Sequence, residues 1–236
     1  MSQEAKDLLK RLKKEKKINK QIDLVQKLKN HNQEEMVNHV LLVHLNRKDH
    51  DSLRLEILAA LNYDDENIIK PLTDIILDKY EPIPVKEKAI ALLGENKSKK
   101  ALKALMKGYK KTKETSILDN FILALTFFEE KDVVKPLIKA LHHEELRLPA
   151  LTGLARNENT VYGSKDLIKE LAILNVSKQF ELLHYDKIIE NILTKFKYST
   201  KEELMAAIKE KKLDAAIDKF RKEQQNIKKM LKKVDI

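Results

Sequence analysis

The chain contains no cysteine, which excludes disulfides, thiolate metal sites and a cysteine nucleophile together. It has no tryptophan and only four glycines, Gly94, Gly108, Gly153 and Gly163, so there is no glycine-rich loop to cradle a phosphate. Arginine is scarce. Of 47 basic residues only six are Arg: Arg11, Arg47, Arg54, Arg147, Arg156 and Arg221. Lysine is a hydrated point charge, whereas arginine forks onto phosphates and base edges, so the imbalance weighs against specific nucleic-acid readout. No stretch approaches the ~20 apolar residues that a membrane-spanning helix needs. The basic N-terminus has no apolar run behind it, so no secretory signal is expected, and the expected location is cytoplasmic.

What the chain does have is charge on a helix-rich background. Of its 236 residues 42% are hydrophobic, enough for a continuous core, and 36% are charged. The net charge of +10 is spread unevenly: residues 1–30 carry +6, residues 195–236 carry +6, and residues 31–194 carry −2. The ends are basic and the middle is near neutral.

The middle is repetitive. VKEKAIALLGENKSKKALKALMKGY, residues 85–109, reads as two amphipathic helices joined by a tight turn. Val85, Ala89, Leu92 and Leu93 form the first apolar stripe. Pro84 stands at the helix start, and Gly94 is placed to end the helix in a left-handed conformation. Ser98 is a good cap for the second helix, whose apolar face carries Leu102, Leu105, Met106 and Tyr109. Similar first helices end at Leu61, Leu93 and Leu125, 32 residues apart. Similar second helices follow each, and their IIKPL and VVKPL strings place Pro71 and Pro136 in a first turn. A looser unit spans LRLPALTGLA and SKDLIKELAIL, and a further one is arguable over residues 18–45. A pair this short cannot bury both apolar faces alone, so each needs neighbours.

The VKEKAIALLG string and its 32-residue echo resemble HEAT repeats of the short, phycobilisome-lyase type over residues 51–156. The resemblance implies an all-α solenoid: basic helices and a degenerate first repeat over residues 1–50, a HEAT-like array over 51–175, and a helical cap with a long last helix over 176–236. Its motif is made of packing positions, so it implies a fold and no chemistry. Two HEAT-like enzyme families set a contrast. Deoxyhypusine hydroxylases bind two irons through repeated His-Glu pairs, and this chain has one, His143–Glu144. Alkylpurine DNA glycosylases rely on groove tryptophans, which are absent here. No Ser-His-Asp arrangement stands out. No catalytic residue, cofactor or metal is therefore expected.

The remaining features are surfaces. Lys6, Lys10, Lys13, Lys17 and Lys20 step at helical spacing along a basic N-terminal helix, or two, whose inward face runs from Leu8 to Leu28. That face suits either a solvated cap or an anionic surface. His31, Glu35 and His39 share helical spacing, and Met36, Val37, Val40, Leu41, Val43 and Leu45 read as core. Asp64, Asp65 and Glu66 read as helix caps. A helix break is expected near His184 and Tyr185, and Ser199 and Glu202 have capping-box spacing. Leu213, Ile217, Phe220, Ile227 and Leu231 make a heptad seam, either a cap on the last repeat or a dimerising helix.

The most suggestive surface lies over residues 97–113, which hold eight lysines and no acid. Lys99, Lys103, Lys107 and Lys110 share the face opposite Leu102 and Leu105. Second helices line the concave side of HEAT arrays, so the resemblance puts this stripe in a groove, with Lys135 and Lys139 from the next repeat. The expected function is a non-catalytic scaffold or adaptor presenting those lysines to an acidic partner protein. The alternative is a nucleic-acid or ribonucleoprotein binder using the same lysines on phosphates.

Overall fold

Apolar residues at three- and four-residue steps give helices, and every regular element among the described residues is helical. The computed structural model describes residues 1–48, 50–157, 159–160, 167, 179–196, 199–200, 202–204 and 206. The chain divides into two compact units, Met1–Phe127 and Phe128–Ile236.

The first unit holds α1 (Gln3–Lys14), α2 (Ile18–Leu28), α3 (Glu35–Leu45), α4 (Asp51–Ala60), α5 (Ile69–Leu77), α6 (Ile83–Asn96), α7 (Lys99–Lys111) and α8 (Thr115–Leu125), with short 3-10 turns at Lys29–His31 and Glu66–Ile68. Helix α2 packs on α4, α4 on α6, and α6 on α8. Helices α5 and α7 pack on each other and both on α6. Leu61, Leu93 and Leu125, the three 32-residue counterparts, are all buried. Fully burying one such side chain contributes roughly 1.5–3 kcal/mol. The second unit holds α9 (Lys131–Ala140), α10 (Glu144–Arg156) and α11 (Gln179–Phe196), with α10 packed on both others. No described helix is long and apolar enough to cross a membrane.

Several local expectations change. Gly94 does not end its helix: α6 continues to Asn96, and Lys97 takes the left-handed conformation with φ 55°. Gly94 instead lets helices approach closely, since a Cβ there would lie 3.0 Å from the Ala124 Cβ. Pro136 lies beyond the first turn, because α9 already begins at Lys131. The basic N-terminal stripe is not continuous. Glu15 breaks the helix, and its carboxylate accepts from the N–H groups of Lys16 and Lys17 at 3.0 and 2.9 Å. His31 sits in the 3-10 turn, so it shares no helix with Glu35 and His39. Met36 and Val43 are exposed rather than core.

No break occurs at His184 and Tyr185. Helix α11 runs through both, because Tyr185, Ile188, Ile189 and Ile192 continue one buried face. The capping box is one residue later than its spacing suggested. The Thr200 hydroxyl accepts from Glu203 N–H at 3.1 Å, and the Glu203 carboxylate accepts from Ser199 N–H at 2.8 Å. The heptad-seam residues Leu213, Ile217, Phe220, Ile227 and Leu231 lie outside the described residues.

Candidate functional site

Helix α7 is built by its entry turn and its small residues. Asn96 donates its side-chain amide to the Tyr63 carbonyl at 2.6 Å, anchoring the end of α6. Lys97 then reverses the chain. The Ser98 hydroxyl accepts from Ala101 N–H at 3.1 Å, satisfying one of the free donors of the first turn. Ala101, Leu102, Ala104, Leu105 and Gly108 are buried. Gly108 is a point of contact, since a Cβ there would come within 2.6 Å of the Phe121 ring and 3.0 Å of the Ile76 side chain. Tyr109 meets Phe121 edge-on at 6.5 Å between centroids, and burial raises its phenol pKa.

With that face fixed inward, the rest of α7 points to water. Lys99, Lys103, Lys107 and Lys110 are all exposed. Lys100 is paired with Glu66, but those four lysines have no acidic partner among the described residues. Lys110 and Lys111, in the last turn, also suit the negative end of the helix dipole. In the second unit Lys135 and Lys139 are exposed one turn apart on α9, opposite Val134, Leu137 and Ile138.

The early carboxylates have mixed roles. Asp65 caps its 3-10 turn by accepting from Asn67 N–H at 2.9 Å, and also accepts from the Asn38 amide at 3.2 Å. Glu130 precedes α9 without a side-chain cap, and it is its carbonyl that accepts from Asn157 at 3.1 Å.

Periodicity gave no warning of the buried charges. Arg54 bonds the Glu81 carboxylate, with side chains only 3% and 1% exposed, and its Nε donates to the Leu45 carbonyl at 3.1 Å. Lys86 bonds Glu114 at 2.7 Å. Arg54 and Lys86 stand 32 residues apart, so each cation holds the segment just before the next helix that packs on its own. The signal was a basic residue at the same place in two repeats, inside an otherwise apolar stripe. Lys48 adds to the first pair. It bonds Asp78, which lowers the Asp78 carboxyl pKa and raises its own.

No protein-family model matches the chain, and no curated protein matches it.

Proposed function

We propose that the chain is a HEAT-like helix-pair repeat protein that acts as a non-catalytic adaptor, presenting the exposed lysine face of α7, as the lining of a concave groove, to an acidic partner protein. The observation that carries this reading is the set of four exposed lysines on α7 that have no acidic partner among the described residues, beside Lys100, which has one. Like charges kept together without compensation raise the local potential and steer anionic partners. The packing of α2, α4, α6 and α8 one upon the next, with α5 and α7 beside them, supports a superhelical stack of pairs. Lys135 and Lys139 on α9, in the second unit, are proposed as acid-binding residues in their own right.

The test is binding of a fluorescent Glu-rich peptide at low and physiological salt, with wild type and with the double charge reversal Lys103→Glu, Lys107→Glu. The expected result is affinity at least about tenfold weaker in the variant, with unchanged melting, since both side chains are exposed and unbonded. Equal binding by the two proteins defeats the reading. Tighter binding of single-stranded RNA than of the peptide, with a steep salt slope, transfers the lysines to phosphate backbone.

A further inference from the structure

The first unit contains a second basic site, built differently from α7. A hollow of about 140 Å³ lies between the start of α2, the end of α3 and the start of α4. Its polar lining is Lys16, Gln21, His44, Arg47, His50 and Arg54, and no carboxylate is among the described residues that line it. The volume holds several waters, enough for a phosphate group.

His44 is the unusual member. It is only 5% exposed, yet its imidazole makes no hydrogen bond or ion pair. The ring is not sealed off, since the buried unpartnered side-chain atoms among the described residues are Glu81 Oε2 and Glu114 Oε2, so the imidazole opens on the hollow and offers it at least one donor when protonated there. Two helix starts adjoin the hollow, although at α2 the Glu15 carboxylate already accepts from the Lys16 and Lys17 N–H groups. Lys17 and His50 are the N-caps of α2 and α4, and neither makes a side-chain cap bond. Ile18 brings the start of α2 into the lining, and His50, Leu53 and Arg54 bring the start of α4, so the positive dipole ends of both helices adjoin the hollow. Arg54 is already committed to Glu81 and the Leu45 carbonyl, which leaves Lys16 and Arg47 as the cations without partners.

The next repeat provides an internal comparison. Thirty-two residues on, Ile76 stands for His44, Lys79 for Arg47 and Lys86 for Arg54, and these line a hollow of about 200 Å³. Two carboxylates line it as well: Asp78, bonded to Lys48, and Glu114, bonded to Lys86. The second hollow thus carries its own counter-ions and has no buried imidazole. The first has a buried imidazole and no acid among the described residues that line it.

We propose that the hollow at His44, Arg47 and Lys16 binds a phosphate dianion, either free phosphate or the phosphate of a small phosphomonoester. The phosphate oxygens would accept from the His44 ring N–H, the Arg47 guanidinium, the Lys16 ammonium and first-turn amides of α4. Among the described residues, the groups facing His44 are cations or carboxylates with contacts of their own. Lys13 from α1, Arg47, and His50 and Arg54 from α4 surround it. The Glu15 carboxylate is held by the Lys16 and Lys17 amides, and Asp51 lies 3.8 Å from Arg54. Burial and the cations Arg47 and Lys13 already hold the imidazole below its ordinary pKa, and a bound dianion would reverse that field.

The experiment is a titration of the full chain with inorganic phosphate, and separately with phenyl phosphate, followed through the His44 ring resonances and by calorimetry. Chloride at equal ionic strength is the reference. Phosphate is expected to move the His44 resonance and raise its titration midpoint by about one pH unit. Arg47→Ala, at an exposed side chain, is expected to keep the fold and weaken binding at least about tenfold. Binding of both compounds points to an ester ligand, and binding of inorganic phosphate alone points to the free ion. The proposal is overturned if millimolar phosphate leaves His44 unmoved, if chloride acts equally, or if Arg47→Ala binds as wild type does. A His44→Gln variant gives a further check, and the wild-type resonance and Arg47→Ala suffice should it fail to fold.

Discussion

Helices α5 and α7 pack on the same neighbour, α6, and differ in what they show to water. Helix α5 buries Leu72, Ile75 and Ile76, and α7 buries Leu102, Leu105 and Gly108. Outward, α5 presents Lys70 and Asp74, opposite charges one turn apart, whereas α7 presents lysine alone. Packing needs the inward faces and is indifferent to the outward ones. The lysine surface of α7 is therefore something the fold permits without requiring.

The two helices also differ in how the chain leaves them, and this gives the largest expected effect. Glu81 follows α5 and is buried against Arg54, while Glu114 follows α7 with its side chain 36% exposed beside Lys86. Glu81→Ala should cost about 3–5 kcal/mol in urea denaturation, because it strands a buried guanidinium. Glu114→Ala also strands a buried cation, Lys86, but should cost less, because the Glu114 side chain is 36% exposed and its truncation opens a path for water to the ammonium. Equal losses would remove this distinction between the two exits.

A smaller effect tests how α5 and α7 touch. Ile76 in α5 and Gly108 in α7 are 32 residues apart, and the isoleucine fills the space beside the glycine. Gly108→Ala should destabilise by about 1–3 kcal/mol through crowding with Phe121 and Ile76, despite the better helix propensity of alanine. Adding Ile76→Val should recover part of that loss. A thermal denaturation series that shows simple additivity would mean the two residues do not share the space.

The smallest effect extends the comparison to α3, where His44 stands at the place of Ile76. Its imidazole pKa is lowered in the folded chain, chiefly by burial and then by Arg47 and Lys13. The unfolded chain therefore takes up a proton near pH 6.5 that the folded chain resists. This contribution is whole above about pH 6.5 and is lost as pH falls toward the folded-state value. In phosphate-free buffer, melting temperatures of wild type and His44→Gln should diverge on acidification, with wild type losing more. A gap that is constant with pH would count against it.

Much of the helical framework was legible because it rests on spacing. Leu61, Leu93 and Leu125 are buried as their period required, and Ser98 caps α7 through the expected hydroxyl. What was illegible depends on partners distant in sequence. Gly94 looked like a terminator because glycine serves both chain reversal and close packing, and only the position of Ala124 separates the two. Met36 and Val43 carry the right apolar character, but nothing local says whether a neighbour covers them. Nothing local marks Arg54 and Lys86 as buried, because their partners Glu81 and Glu114 stand 27 and 28 residues away. The α7 lysines were easy to see, since exposure opposite a leucine stripe follows from helix geometry alone.

The bonds that tie neighbouring helix pairs together in the first unit span short stretches of chain. Asn38 reaches Asp65 across 27 residues, Lys86 reaches Glu114 across 28, Asn96 reaches Tyr63 across 33, and Lys100 reaches Glu66 across 34. Contacts so near in sequence close only small loops, which favours rapid folding. In the proposed stack of helix pairs they would also make the unit separable in series. Stretched between its ends, it would give way as a succession of small releases, each freeing a length of chain close to one repeat.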